Sequence, residues 1–318
     1  MRTTLVTGAS GFLGAHVVAA ALARSRSEAT LADPLGPPVV AQSRGPALLA
    51  PRFGQGPRDA AEWIERDLTG MGAVDLLEAV CPEEVIHCAA MSRAAACEAE
   101  PQRAAELNAR VPGAIAAWCA ARGARLIHVS TDLVFGGMDA PVGGFEETAE
   151  PAPLSVYGRT KLEGEQAVLG AFPEATVARL PLLYGNSGGR GLGASDSLLE
   201  AIERGEKPRL FIDEWRTPLE VSNAAQALVE LLEFDHGGVL HLAGPDRVTR
   251  YEFGLGVLSA MGLEPGAARA EIEEARQADL DAGAPRPRDV SLDARLAARH
   301  LETGLHGVEA GMARAVAP

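Results

Sequence analysis

Cysteine is scarce in this 318-residue chain: Cys81, Cys88, Cys97 and Cys119 are the only four. None belongs to a Cys-x-x-Cys pair and none stands beside a histidine pattern. This excludes a disulfide frame and a zinc site, and no metal is expected. Also missing is any apolar run near the roughly 20 residues that a membrane helix needs. There is no positively charged lead followed by an apolar core, because Thr3-Thr4-Leu5-Val6 runs straight into a glycine turn. A cytoplasmic protein without a membrane partner is therefore expected. Basic charge is in short supply, with 29 Lys and Arg against 43 Asp and Glu, a formal net charge of −14. Such a surface repels a phosphate backbone, so nucleic acid is not expected as a partner. A few local arginines can still hold a small anionic molecule. No internal repeat is found.

What the chain does have is a regular alternation of short apolar segments and longer helical patterns up to about residue 185. Candidate strands are 3–7, 39–43, 85–88, 125–130 and 176–180, and candidate helices are 13–24, 98–122 and 157–170. The alternation implies βαβ units, and several strands are apolar throughout, as when both faces are buried. The expected fold class is α/β, a Rossmann-type doubly wound parallel sheet with a smaller C-terminal α/β substrate lobe. The division expected is 1–185 for an NAD(P)-binding domain that carries the catalytic residues, and 186–318 for the lobe, with strands or helices exchanged between them.

The first strand ends in Thr7-Gly8-Ala9-Ser10-Gly11-Phe12-Leu13-Gly14, which opens a helix. Gly8 permits the tight turn, Gly11 a close approach of backbone to a pyrophosphate, and Gly14 the packing of helix on sheet. A diphosphate there meets free N–H groups and the positive end of a helix dipole. Gly8, Ser10, Gly11, Phe12, Leu13 and Gly14 are accordingly expected to bind a dinucleotide. Selection between cofactors falls to the tip of the second strand, where a carboxylate binds a ribose hydroxyl and arginine a 2′-phosphate. Two candidates exist: Asp33, at the usual offset from the cradle, and Ser43-Arg44, at the end of the better strand by β-branched content. The second is favoured, and with it NADP(H) slightly over NAD(H).

Tyr157 and Lys161 stand four apart in Tyr157-Gly158-Arg159-Thr160-Lys161, so on a helix they share one face. A free phenol titrates near 10, and a neighbouring ammonium is expected to lower it by roughly one to three units. Tyr157 then gives a proton to a substrate carbonyl as hydride reaches carbon. A hydroxyl at the end of strand 125–130 serves the same carbonyl, from Thr131 or the adjacent Ser130. His87 and His128, in apolar strands without metal spacing, are expected to be core residues.

These stretches in order, with Ser130-Thr131-Asp132-Leu133-Val134-Phe135-Gly136-Gly137, resemble the extended short-chain dehydrogenase/reductase superfamily and, within it, the dTDP-4-dehydrorhamnose reductase-like family. The resemblance implies Thr131, Tyr157 and Lys161 as catalytic residues. To the cofactor set it adds Asp67 and Leu68 beside the adenine, Cys88, Ala89 and Ala90 at a strand end, Asn108, Leu180 and Leu182. On the substrate side it implies Ser92, Asp132, Val134 and Phe135, while Arg179, Arg216 and Arg288 are the arginines that suit a diphosphate. The activity implied is reduction of a nucleotide-bound 4-keto-6-deoxy sugar, in a protein that forms a homodimer in many relatives. Leu133 replaces a usual tyrosine, and Leu182-Leu183 stand where an aromatic often meets the hexose. Three readings stay open: a deoxysugar-nucleotide reductase, a reductase of another small carbonyl or imine, and a cofactor-binding regulatory subunit like the β subunit of methionine adenosyltransferase.

Overall fold

The structure, a computed structural model, describes residues 2–29, 38–45, 61–279 and 285–315. Its central sheet is built from β1 (Thr4–Thr7), β2 (Val39–Ser43), β3 (Ala61–Glu65), β4 (Glu84–His87), β5 (Arg125–Thr131), β6 (Thr176–Leu180) and β7 (Gly238–His241). The spatial order is β7-β6-β5-β4-β1-β2-β3, with every pair parallel. The order reverses between β1 and β4, which opens a crevice at the carboxyl ends of the strands, where open α/β sheets take their ligands. Strands β1, β2, β4 and β6 are buried along their whole length, as strands covered on both faces are.

Two apolar layers cover the sheet. On one face Val17, Val18, Ala21 and Leu22 of helix α1 (Phe12–Ser27) pack with Ala224, Leu228 and Leu232 of the C-terminal half. On the other, Leu76 and Leu77 of α2 (Gly72–Val80) meet Ile115 and Cys119 of α3 (Val111–Arg122) and Val168 of α4 (Val156–Ala171). A further cluster around Tyr184, Leu198, Phe253 and Val257 forms the core of the remaining C-terminal elements. Two strands escape the sequence-based list of candidates. β3 follows a glycine-rich stretch and alternates apolar with acidic residues, and β7 is a four-residue segment that the C-terminal half lends to the sheet edge.

The long helical pattern 98–122 is in fact a series: short helices 94–99 and 101–105, a π-helical turn at 106–110, then α3. Asn108 sits in that wide turn. Its Oδ1 accepts from the Met91 backbone N–H at 2.8 Å, and its Nδ2 donates to the Met91 carbonyl and to Thr160 Oγ1, both at 3.1 Å. Gly164 of α4 packs against the Asn108 carbonyl, so closely that a Cβ there would overlap it.

Candidate active site

The crevice is a cavity of about 990 Å³. Gly8, at φ +67°, begins its floor, and a Cβ there would stand 2.7 Å from the Ala89 backbone. At Gly14 a Cβ would collide with the Gly8 carbonyl, and at Gly11 it would lie 3.1 Å from it. The cradle thus exists because Gly8 and Gly14 carry no side chain, and Gly11 leaves it further room. Ser10, Phe12 and Leu13 line it as well. Gln42, which sequence reasoning missed, shapes it from below: its Oε1 accepts the Gly8 N–H at 2.9 Å while its Nε2 donates to the Arg66 carbonyl at 2.6 Å. This turn at a helix N-terminus fits a dinucleotide diphosphate.

Arg44, Asp67 and Leu68 line one end of the cavity, and Cys88, Ala89, Ala90, Ser92, Leu180 and Leu182 line its middle. The Asp67 carboxyl is held below its usual range by hydrogen bonds from the Thr69 backbone and hydroxyl, at 2.9 Å each. Burial pushes the Cys88 thiol up to about 12, so it stays a thiol. Ser43 is absent from the lining, because its hydroxyl turns to the Gly45 carbonyl at 2.6 Å. Asn108 also lies outside the lining and holds the backbone under it. Asp33 lies outside the described residues.

The reaction centre is set by β5 and α4. Ser155 caps α4 by accepting the Gly158 N–H at 3.1 Å, which places Tyr157 in the first turn and Lys161 in the second. Gly158 lets that turn pass the Leu133 carbonyl, where a Cβ would not fit. Tyr157, Lys161 and Thr131 all line the cavity. The Thr131 hydroxyl donates to Asp132 Oδ1 at 3.1 Å and accepts from Leu133 N at 3.2 Å. Ser130, its alternative, spends its hydroxyl on Glu165 Oε1 at 2.5 Å.

The acidity of the reacting pair runs against expectation. The Tyr157 phenol is raised, not lowered: burial is the main cause, the Thr131 hydroxyl opposes it, and Asp132 adds to it. The Lys161 ammonium faces the sheet, where it donates to the Val129 carbonyl at 2.6 Å and lies 3.4 Å from His128 Nε2. Burial brings it down to about 8, against an opposing pull from Glu165. His87 and His128 are stacked and buried, with centroids 5.4 Å apart and pKa values lowered by that burial.

On the substrate side Asp132, Phe135 and Arg216 line the cavity, whereas Val134 is sealed in an apolar cluster with Phe145 and Val290. Arg179 does not reach the cavity: it is buried in a bidentate pair with Glu165, Nε–Oε1 2.9 Å and Nη2–Oε2 2.6 Å. Arg288 is exposed beside Asp139 and is likewise absent from the lining. Its neighbour Arg286, in the same substrate-side stretch Arg286-Pro287-Arg288-Asp289, lines the cavity, with Glu214 and Arg250, neither of which sequence reasoning had singled out. Arg216 is held in place by Glu214 at 3.0 Å and by the Trp215 and Pro287 carbonyls at 2.6 and 3.3 Å. Burial raises Asp132 to about 6, with Arg216 opposing at 4.0 Å, and its Oδ2 has no hydrogen-bond partner among the described residues. Among those residues no group of three or more His, Cys, Asp or Glu could hold a metal, and no helix is long and apolar enough to cross a membrane.

Residues 1–318 match the family described as the RmlD substrate binding domain. The chain is 34% identical over 291 residues to the "Probable low-salt glycan biosynthesis reductase Agl14" of Haloferax volcanii, covering 91% of this chain and 88% of that protein. It is also 34% identical over 219 residues to the methionine adenosyltransferase 2 subunit beta of Pongo abelii, covering 67% of this chain and 63% of that protein. The crystal structure of the Bacillus anthracis dTDP-4-dehydrorhamnose reductase in complex with NADP has the same fold. Its TM-score is 0.78 at 21% identity, with 99% of this chain and 98% of that chain covered.

Proposed function

Because the chain belongs to the RmlD substrate-binding domain family, we propose that it is an NAD(P)H-dependent oxidoreductase that reduces the carbonyl of a nucleotide-activated 4-keto-6-deoxy sugar. The observation that carries this reading is the convergence of Thr131, Tyr157 and Lys161 on one cavity with the glycine cradle. A bound nicotinamide dinucleotide supplies the hydride. The protein's own residues do the rest. Gly8, Gly11 and Gly14 leave room for the diphosphate, and Arg44 at the far end suits a 2′-phosphate, which supports NADPH over NADH. Tyr157 delivers the proton to the carbonyl oxygen, and Thr131, whose hydroxyl rests on Asp132 Oδ1 in this structure, turns to the same oxygen when substrate is bound. Lys161, anchored on the Val129 carbonyl, keeps a positive charge beside the reacting groups.

Support for a sugar substrate comes from the glycan biosynthesis reductase, which aligns over most of both chains. The methionine adenosyltransferase subunit favours the regulatory reading, but it aligns over a shorter stretch, and the catalytic set here is whole. The test is oxidation of NADPH, followed at the nicotinamide absorbance, with a panel of dTDP- and UDP-linked 4-keto-6-deoxy sugars and simple ketones. Turnover with the nucleotide sugars alone is the expected result. No turnover with any of them contradicts the reading, and turnover with simple ketones only moves the substrate class.

A further inference from the structure

The cavity carries a charged cluster beside the reaction centre that the proposed chemistry does not use. Asp132, next to Thr131, is 4.0 Å from Arg216; Arg216 is 3.0 Å from Glu214; and Glu214 is 3.9 Å from Arg286. Arg250, the first residue of helix 250–260, closes the group: its backbone N–H donates to the Glu214 carbonyl at 3.0 Å. Its guanidinium carbon lies 5.9 Å from the centroid of the Phe253 ring. All five residues line the same cavity.

Within this cluster the hydrogen bonds are unevenly shared. Both terminal nitrogens of the Arg216 guanidinium are engaged, by Glu214 and by the Trp215, Pro287 and Arg288 carbonyls. The carboxylate of Glu214 serves Arg216, Arg286 and Gln277 Nε2. Arg250 Nη1 is shut off from solvent and has no hydrogen-bond partner among the described residues. A buried guanidinium nitrogen without an acceptor is costly, and such atoms in a ligand cavity mark groups completed by a ligand. The burden shows in its acidity, since burial lowers Arg250 to about 10 with Glu214 opposing. The ligand atom that suits it is an anionic oxygen, because the guanidinium fork matches phosphate and carboxylate geometry.

We propose that Arg250 is a substrate-recognition residue that takes an oxyanion of the substrate, either the nucleotide diphosphate or a carboxylate carried on the sugar. This rests on the nucleotide-sugar part of the reading above, not on its 6-deoxy part, and names the residue that binds the charge. Arg179 and Arg288, the arginines that the sequence favours for this task, are committed elsewhere, to Glu165 and Asp139.

The experiment is calorimetric titration of the NADPH-saturated protein with UDP, dTDP, UDP-glucose and UDP-glucuronate, in wild type, Arg250→Met and Arg250→Lys. Methionine keeps an apolar stem against Phe253 and removes the charge; lysine keeps the charge and loses the fork. In Arg250→Met the affinity for the anionic ligands is expected to fall about tenfold to a hundredfold. NADPH binding should be unchanged, the thermal midpoint of Arg250→Met should be no lower than that of the wild type, and the affinities of Arg250→Lys should fall between. Equal weakening of UDP and UDP-glucose assigns the oxyanion to the diphosphate; weakening of UDP-glucuronate alone assigns it to the carboxylate. Unchanged affinity for all four ligands in both variants overturns the role of Arg250. A wild type that binds none of the four overturns the nucleotide-sugar reading itself, and the Arg250 role falls with it.

Discussion

Burial raises the phenol of Tyr157 and lowers the ammonium of Lys161 to about 8, so the two groups part company as pH rises. The phenol stays protonated across the neutral range and can serve as a proton donor there. Lys161 is the group that titrates: charged below about 8 and neutral above. If its charge is needed, kcat/KM for ketone reduction falls as pH rises through that value, about tenfold per further unit. A pH–rate profile checks this, and a rate that stays level for more than one unit above the break contradicts it. The stability sign is the reverse. Because the folded pKa of Lys161 lies below the ordinary value of 10.5, the unfolded chain binds more protons between about 8 and 10.5. The contribution of this group to stability therefore rises with pH across that window. At this scale the sequence showed which residues can react but not whom they face. Arg179 looks like a diphosphate ligand until its partner is known, yet a clue was available: Glu165 follows Tyr157 and Lys161 at the same four-residue spacing, on the same helical face. Nothing in the spacing tells that Lys161 turns toward Val129 rather than toward the phenol.

Among elements, the glycine turn was readable because its requirements are local. Gly8 needs φ +67° and Gly14 needs the absence of a Cβ, both properties of one residue. The π-helical turn at 106–110 was not, because an asparagine in a helical pattern carries no sign of the Met91 backbone that it holds. The edge strands β3 and β7 escaped for a related reason, being short and only partly covered. Asn108→Ala removes three hydrogen bonds at once and leaves the Met91 amide and carbonyl without those partners. A loss of about 1–3 kcal/mol in stability is expected from the part-buried Met91 amide left unpaired, since the Met91 carbonyl still accepts from Cys97 Sγ. Chemical denaturation measures it, with NADPH affinity also reduced through movement of the Ala89–Ser92 segment. Unchanged stability would show that the wide turn is held by packing alone, chiefly Gly164 against the Asn108 carbonyl.

Across the whole molecule, the cavity is assembled from both halves of the chain. The cradle, β5 and α4 come from the first half, while Glu214, Arg216, Arg250 and Arg286 come from the second. The net charge of −14 conceals a patch where three arginines face two acids. No sequence pattern joins positions 132, 214, 216, 250 and 286; only the fold does. The cofactor end was legible because its residues are close in sequence, and the substrate end was not because its residues are far apart. In the proposed reaction the Tyr157 phenol protonates a carbonyl in this cavity. The most direct measurement is single-turnover reduction by Tyr157→Phe under saturating NADPH, beside a titration of NADPH binding. Reduction slower by about 10²–10⁴-fold with NADPH affinity unchanged is the expected result; reduction at the wild-type rate contradicts it.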